Sequence, residues 1–124
     1  MLKKVFRHDA ITLHSEVKGE EFEKFMKEEL FPHFSEQYKG PTRTSIADLK
    51  SQSLFRNTKS PRKYLWITVW DGSSESVRGS SFEHTRMGRI EPTEAMLKKL
   101  ESFGKRTTEN IFSELASIEI ATNT

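Results

Sequence analysis

The sequence predicts one α+β domain of the order β-α-β-β-α-β, with a four-stranded antiparallel sheet that carries both helices on one face. Three observations predict it. Strand-like segments lie near the start, in the middle and at the end of the chain, two amphipathic helical segments lie between them, and the length is 124 residues. A chain of this length normally forms one core, so we expect a single domain over residues 1–124.

The composition is that of a folded protein, with 34% hydrophobic and 31% charged residues and nine Phe, two Trp and two Tyr. The net charge is +2 and the signs are interspersed, so we expect no nucleic-acid partner. The chain contains no cysteine, which excludes disulfides and thiolate metal sites. No apolar run approaches membrane-spanning length, and no apolar signal core follows the basic start, so we expect a cytoplasmic protein with no membrane partner.

The first two predicted elements are a strand and a long helix. Residues 10–17 alternate, with Ile11, Leu13 and Val17 on one side and polar residues on the other, as in a half-buried strand. Residues 19–38 carry apolar side chains at helical spacing, namely Phe22, Phe25, Met26, Leu30 and Phe34. Pro32 lacks an N–H and should kink or break this helix near Phe31.

The remaining elements follow a loop at 39–41. Residues 43–55 predict a second strand, 57–62 a hairpin loop, and 63–70 a third strand rich in aromatic and β-branched residues. Residues 74–88 predict at most a short, poorly held helix. A second long helix should begin at Pro92, with Met96, Leu100, Phe103, Thr107 and Ile111 on one stripe, and residues 116–121 should form the last strand. The expected strand order is 4-1-3-2.

The third strand predicts a partner for the sheet. We expect Leu65, Ile67 and Val69 to face the helices, so that the bare side of the sheet carries the alternate residues Tyr64, Trp66, Thr68 and Trp70. Aromatic surface of that size is normally covered, and two-fold dimers are the commonest oligomers, so we expect a homodimer through the open sheet face. The alternative is a monomer in which one Trp ends the strand against a loop.

Three segments resemble a known superfamily: residues 18–25 (KGEEFEKF), 28–32 (EELFP) and 67–71 (ITVWD), the last before a predicted short helix. They resemble the dimeric α+β barrel superfamily, specifically the antibiotic biosynthesis monooxygenase-like proteins. The resemblance implies a ferredoxin-like fold. That superfamily includes cofactor-independent oxygenases acting on phenolic polyketides, haem-degrading enzymes and proteins of unknown role.

The haem-degrading branch uses an Asn on the first strand, and a Trp and a His on the short helix after the third. His84 could stand for that His, but the first strand has no Asn and residues 73–87 contain no Trp. These departures argue against haem degradation.

The candidate site is the concavity expected on the open face. His14 is the candidate catalytic base and Glu119 the carboxylate that would orient it. Such a base would deprotonate an electron-rich phenol, whose anion would react with dioxygen. The candidate substrate-binding residues are Thr12, Tyr64, Trp66, Thr68, Trp70, Phe82 and His84. In the alternative, His14 only forms a hydrogen bond across the sheet or the dimer seam, Glu119 is a rim charge and His84 an exposed loop residue.

No cofactor or metal is expected. The four histidines are widely separated without a metal-binding spacing, and the chain has no glycine-rich phosphate loop. The sequence predicts a dimer that binds a small aromatic or apolar molecule, and the resemblance implies that it acts on this ligand as a cofactor-independent monooxygenase. The alternative is a non-catalytic dimer that binds a metabolite or serves assembly.

Overall fold

The computed structural model describes residues 3–38, 48–72 and 91–121. The elements follow the predicted order β-α-β-β-α-β. They are β1 (Lys3–Leu13), α1 (Gly19–Phe25), a π-helical turn (Met26–Leu30), α2 (Phe31–Gln37), β2 (Asp48–Arg56), β3 (Lys63–Gly72), α3 (Glu91–Phe103) and β4 (Gly104–Ser113).

The four strands form one antiparallel sheet of order β2-β3-β1-β4, which is the predicted order. β1 and β3 are central and pair along their whole length, from Lys3 opposite Gly72 to Thr12 opposite Lys63. The β1–β4 pairing shifts register between His8 and Asp9. The predicted fold class is confirmed.

The first strand lies earlier than predicted. It begins at Lys3 and ends at Leu13, because Lys3 already pairs with β3 and Val5 with β4. The chain then turns, with the Val17 amide donating to the His14 carbonyl at 3.1 Å. His14 therefore follows the strand instead of lying within it.

The first helical segment confirms the predicted apolar stripe. All five of its predicted core residues are buried: Phe22, Phe25, Met26, Leu30 and Phe34. The predicted discontinuity appears as the π-helical turn directly before α2, in which the Phe31 amide donates to the Met26 carbonyl. Because Pro32 has no amide to donate, the turn before it can take the wider hydrogen-bond register.

The last helix and strand differ from the prediction. α3 ends at Phe103, β4 occupies residues predicted as helix, and residues 116–121 are not in a strand. Glycine weakens a helix, and Gly104 lies so close to β1 that an added Cβ would collide with the Thr12 carbonyl. Thr107 and Thr108 then favour strand because they are β-branched.

The β2–β3 hairpin is confirmed. The Asn57 side-chain oxygen accepts from the amides of Lys59 (2.8 Å) and Ser60 (3.0 Å), which holds the turn. β2 begins at Asp48. The start of the predicted second strand, the short helix predicted at 74–88, and the candidate residues Phe82 and His84 lie outside the described residues.

Candidate functional site

The large aromatic residues of β3 face the helices, opposite to the prediction. Tyr64, Trp66, Thr68 and Trp70 are buried, whereas Leu65, Ile67 and Val69 are only half-buried. The covering rings belong to the chain's own helices and to the residue that follows them: Phe22 packs on Tyr64 (4.9 Å between centroids), Phe34 on Trp66 (5.2 Å) and Tyr38 on Trp70 (5.7 Å).

The large aromatic residues of β3 face the helices because the space between helices and sheet is deeper than an uncovered sheet face. A layer of helices over a sheet accommodates long side chains between them, while a flat, uncovered sheet face leaves an indole in water. Burial of the indoles therefore places Trp66 and Trp70 beneath the helices. The predicted aromatic cavity on the open face was wrong.

The other predicted site residues do not join these aromatics. Thr12 is exposed on the opposite side of β1 from the buried Ile11 and Leu13, and His14 is exposed beyond the strand. Glu119 is exposed in the segment after β4. The structure thus separates His14 and Glu119 from the buried rings, and the catalytic roles assigned to these two residues remain predictions.

A buried ionic centre lies on β1 and β4, among residues that were not predicted as site residues. Asp9 (0% exposed) accepts from Arg7 (1% exposed) through Nε at 3.1 Å and Nη2 at 3.4 Å. Arg106 donates from Nη1 to the same carboxylate at 3.2 Å. Burying a charge costs several kcal/mol per ion, and the pairing of Asp9 with both guanidinium groups offsets part of that cost.

A signal for this centre was present in the sequence. Arg7 and Asp9 fall in the same alternation phase as Val5, Ile11 and Leu13, so they lie on the apolar side of an extended β1. The prediction missed them because it began the strand at residue 10.

The ionic centre adjoins a polar pair on β3. Arg7 lies opposite Thr68 in the β1–β3 ladder, and residues directly opposite each other share a side of the sheet. Thr68 Oγ1 accepts from Trp70 Nε1 at 2.8 Å. The helix-facing side therefore brings two guanidinium groups, one carboxylate, a hydroxyl and an indole into one region.

A chain of polar contacts leads from this centre to the surface. Arg106 Nη2 donates to Glu101 Oε2 at 3.1 Å, and His14 Nε2 lies 3.4 Å from the Glu101 carbonyl oxygen. Glu101 and His14 are exposed. His14 therefore meets the main chain of Glu101, whereas Arg106 meets its side chain, so His14 lies near the outer end of these contacts without touching the ionic centre.

Gln52 holds Trp66 and the helix in place. Its Oε1 accepts from Trp66 Nε1 at 3.3 Å, and its Nε2 donates to the Phe31 carbonyl at 2.9 Å and to Ser35 Oγ at 3.1 Å. The side-chain amide of Gln52 on β2 therefore joins the sheet to the helical segment around Pro32.

Tyr64 lies at the end of the helix-facing side. Its hydroxyl donates to Glu23 Oε2 at 2.6 Å, and Arg56 lies 3.5 Å from that oxygen. Desolvation, followed by the hydrogen bond and the charge of Glu23, raises the pKa of Tyr64 to about 12. Tyr64 therefore stays a protonated donor at neutral pH.

His33 of α2 and Thr93 of α3 join the two helical segments. His33 Nε2 lies 2.7 Å from the buried hydroxyl of Thr93. Burial lowers the pKa of His33 from 6.5, so the neutral imidazole is favoured in the folded protein.

The open face is defined here as the side of the sheet that carries Phe6, His8, Ala10, Phe55, Leu65, Ile67, Val69 and Phe112. Phe55 is 53% exposed and Phe112 is 49% exposed, and the His8 and Phe112 rings lie 5.0 Å apart. A pocket of about 320 Å³ opens at the hairpin end of this face. Its lining consists of Ala10, Phe55, Arg56, Asn57, Lys63, Tyr64 and Leu65.

Within the described ranges, no three His, Asp or Glu side chains are grouped so that they could hold a metal ion. None of the helices in those ranges is both long and apolar enough to cross a bilayer.

Comparison with solved structures finds the same fold in proteins of low sequence identity. SnoaB, a cofactor-independent oxygenase from Streptomyces nogalater, is 16% identical with a TM-score of 0.63, over 94% of this chain and 97% of SnoaB. A variant of SnoaB gives a TM-score of 0.65 at 15% identity. An antibiotic biosynthesis monooxygenase-like protein from Bordetella bronchiseptica is 9% identical with a TM-score of 0.61, over 94% of this chain and 99% of that protein.

No protein-family model matches the sequence, and no curated protein is significantly similar to it. At these identities the structural likeness concerns the fold. The chain shares a ferredoxin-like α+β fold with these proteins, which confirms the fold that the resemblance in its sequence implied.

Proposed function

We propose that the protein is a homodimer that binds an aromatic small molecule and oxidises it with dioxygen without a cofactor. One observation carries the proposal: the buried centre of Arg7, Asp9 and Arg106 lies beside Thr68 and Trp70, in a fold shared with a cofactor-independent oxygenase.

The chemistry suits a phenol. Guanidinium groups in a water-poor layer stabilise an anion far better than they would in water, so they favour the phenolate over the phenol. The indole of Trp70 offers a flat apolar surface for an aromatic ring. His14, which is exposed beyond β1, remains the proposed base.

The proposed reaction is balanced by dioxygen alone. A ring C–H and the phenolic O–H are lost, one oxygen atom bonds to the ring carbon, and the other leaves as water. The phenol becomes a quinone, so it supplies the four electrons that reduce dioxygen.

The open face supports the proposed homodimer. Phe55 and Phe112 lie on opposite edge strands and are half exposed, with the aliphatic residues Leu65, Ile67 and Val69 between them on the central strand β3. A contiguous apolar face of this kind is typical of a protein interface. Self-pairing about a two-fold axis would cover both copies at once.

A second candidate function is a non-catalytic dimer. Arg7, Asp9, Trp66, Thr68 and Trp70 are each at most 1% exposed, so a ligand must displace neighbouring side chains to reach them. This burial favours a structural role in which the ionic centre only orders the sheet.

The test is oxygen uptake with electron-rich phenols of increasing ring number. We expect the unchanged protein to consume dioxygen with one of them and Arg7→Met to lower the rate about 100-fold, since one charge partner of the anion is lost. Arg56→Met is the matched control because Arg56 is exposed and its pair with Glu23 lies at the surface, away from the ionic centre. Circular dichroism must show that both variants are folded.

Two outcomes would contradict the oxygenase. One is no uptake by the unchanged protein with any phenol, and the other is equal uptake by the Arg7 variant. Thermal stabilisation by a phenol without uptake would instead support the non-catalytic binder. A Soret shift after addition of haem would contradict the prediction that no cofactor is used.

A further inference from the structure

The segment that follows β4 leaves large aliphatic side chains in water. In residues 114–121, Leu115, Ile118 and Ile120 are 89%, 88% and 85% exposed. The Glu114 amide still donates to the Lys4 carbonyl at 2.9 Å, and residues 114–121 belong to no helix or strand. Single exposed apolar residues are ordinary, but three within six positions of one segment indicate a surface that another chain covers.

The open face offers a receptor for such a segment. Ala10 is a small residue opposite Leu65, and Phe55 also lies opposite Leu65, so the pocket at the hairpin end has an apolar floor. Arg56 and Lys63 are exposed at its rim. The pocket combines apolar contact with positive charge.

The segment and the pocket are complementary. Ile118 and Ile120 are two positions apart and point to the same side of an extended chain, whereas Glu119 points to the other. Glu114 and Glu119 carry the charge opposite to that of Arg56 and Lys63. Eight extended residues span about 26 Å, while four strands are about 14 Å across, so the segment is long enough to cross a sheet face.

We infer that residues 114–121 of each subunit pack on the open face of a second copy, with Ile118 and Ile120 in the pocket lined by Ala10, Phe55 and Leu65. The inference rests on the proposed homodimer but not on the proposed oxygenase. Each subunit then completes its partner's pocket, and removal of the segment opens it.

The absence of cysteine allows a direct test by disulfide trapping. Phe55→Cys and Ile118→Cys are made in separate chains, which are mixed under conditions that permit subunit exchange and then oxidised. Any disulfide between the two positions is then intermolecular. We expect covalent heterodimers to form about tenfold faster than with the matched control Ser117→Cys, which points to the other side of the segment.

Light scattering of the unchanged protein separates the two proposals. If the protein is a dimer but Ile118→Cys forms the disulfide with Phe55→Cys no faster than Ser117→Cys does, the inference is overturned and the proposed homodimer stands. A monomer at micromolar concentration overturns both. In a further control, one chain carries both cysteines and is diluted into an excess of cysteine-free protein, so that its partner has no cysteine. Covalent dimers should then no longer form. Efficient formation of a disulfide within that single chain would show that the segment covers its own sheet and would overturn the inference.

A second measurement does not depend on disulfide geometry. Ile118→Asp combined with Ile120→Asp should raise the dimer Kd about tenfold or more, because apolar side chains would no longer be buried between subunits. Ser117→Asp adds a charge to the same segment at a polar position and should change Kd much less. Equal Kd values for the unchanged protein and the double variant would overturn the inference.

Discussion

The two faces of the sheet are built from neighbouring residues and have different compositions. The helix-facing side carries indoles, a phenol and a paired ionic centre, all buried, while the open face carries aliphatic residues, half-exposed phenylalanines and His8. Strong apolarity alone therefore does not identify a surface that binds a partner. The largest side chains pack in the chain's own core, and the aliphatic residues and phenylalanines of the open face are left to contact another molecule.

The largest expected effect is at the ionic centre. Asp9→Ala removes the carboxylate shared by Arg7 and Arg106, and we expect a loss of about 3–5 kcal/mol in the free energy of unfolding because buried charges lose a partner. Urea titration measures it. The matched control on the open face is Asp71→Ala, which breaks a partly exposed pair with Lys50 and should cost about 0–1 kcal/mol. Equal losses of unfolding free energy in the two variants would show that the charges on the two faces of the sheet contribute equally to stability.

Adjacent residues of β3 should respond differently to truncation. Trp66→Ala removes a buried indole, and we expect a loss of about 3–5 kcal/mol that does not depend on protein concentration. Ile67→Ala should cost less than about 2 kcal/mol in the monomer, and its effect should grow at concentrations where the dimer forms. Unfolding at several protein concentrations distinguishes them. A concentration-dependent loss for Trp66→Ala would contradict its place in the chain's own core.

The pH dependence of stability should report on the helix-facing layer through His33. Since burial lowers the pKa of His33 below 6.5, the unfolded chain binds more protons as the pH falls below that value. The contribution of His33 to the free energy of unfolding should therefore be constant above about pH 7 and should fall as the pH decreases through 6.5. His33→Gln should reduce that slope in urea titrations. An unchanged slope would contradict the lowered pKa.

The smallest expected effect is at Tyr64, where the helix-facing side meets solvent. The difference in ultraviolet absorbance between the unchanged protein and Tyr64→Phe should show ionisation of Tyr64 near pH 12, above the ordinary value of 10.0. Because the folded pKa is raised, the stability that Tyr64 contributes is present below pH 10 and lost as the pH rises through about 12.

A matched variant separates the causes of that shift. Glu23→Gln removes the neighbouring charge, so the pKa of Tyr64 should fall, while remaining above 10.0 because desolvation is the larger cause. Ionisation of Tyr64 at its ordinary pKa in the unchanged protein would contradict both causes.

Much of the fold could be predicted because local chemistry specifies it. The stripe from Phe22 to Phe34, the interruption before Pro32 and the Asn57 turn are each determined within a few residues of the chain. The end of α3 at Phe103 could not be predicted from periodicity, since the apolar stripe continues to Ile111. It is decided by β1, which Gly104 approaches too closely for a side chain.

The candidate site could be predicted only in part. Trp66, Thr68 and Trp70 were identified by residue type. Arg7 was missed because the predicted strand began at residue 10, and Arg106 because it lies ninety-nine positions further along the chain and reaches Asp9 only in the folded structure. His14 was identified by its chemistry, and its place outside β1 became visible only with the pairing of that strand.

The residue types along β3 and the two amphipathic segments are enough to predict that β3 has two apolar sides and that helices cover one of them. An alternation of period two is symmetric, so it contains nothing that distinguishes inside from outside. Which side is buried depends on the three-dimensional packing. The helices form a layer deep enough to bury indoles and paired charges, whereas a bare sheet face leaves such side chains in water.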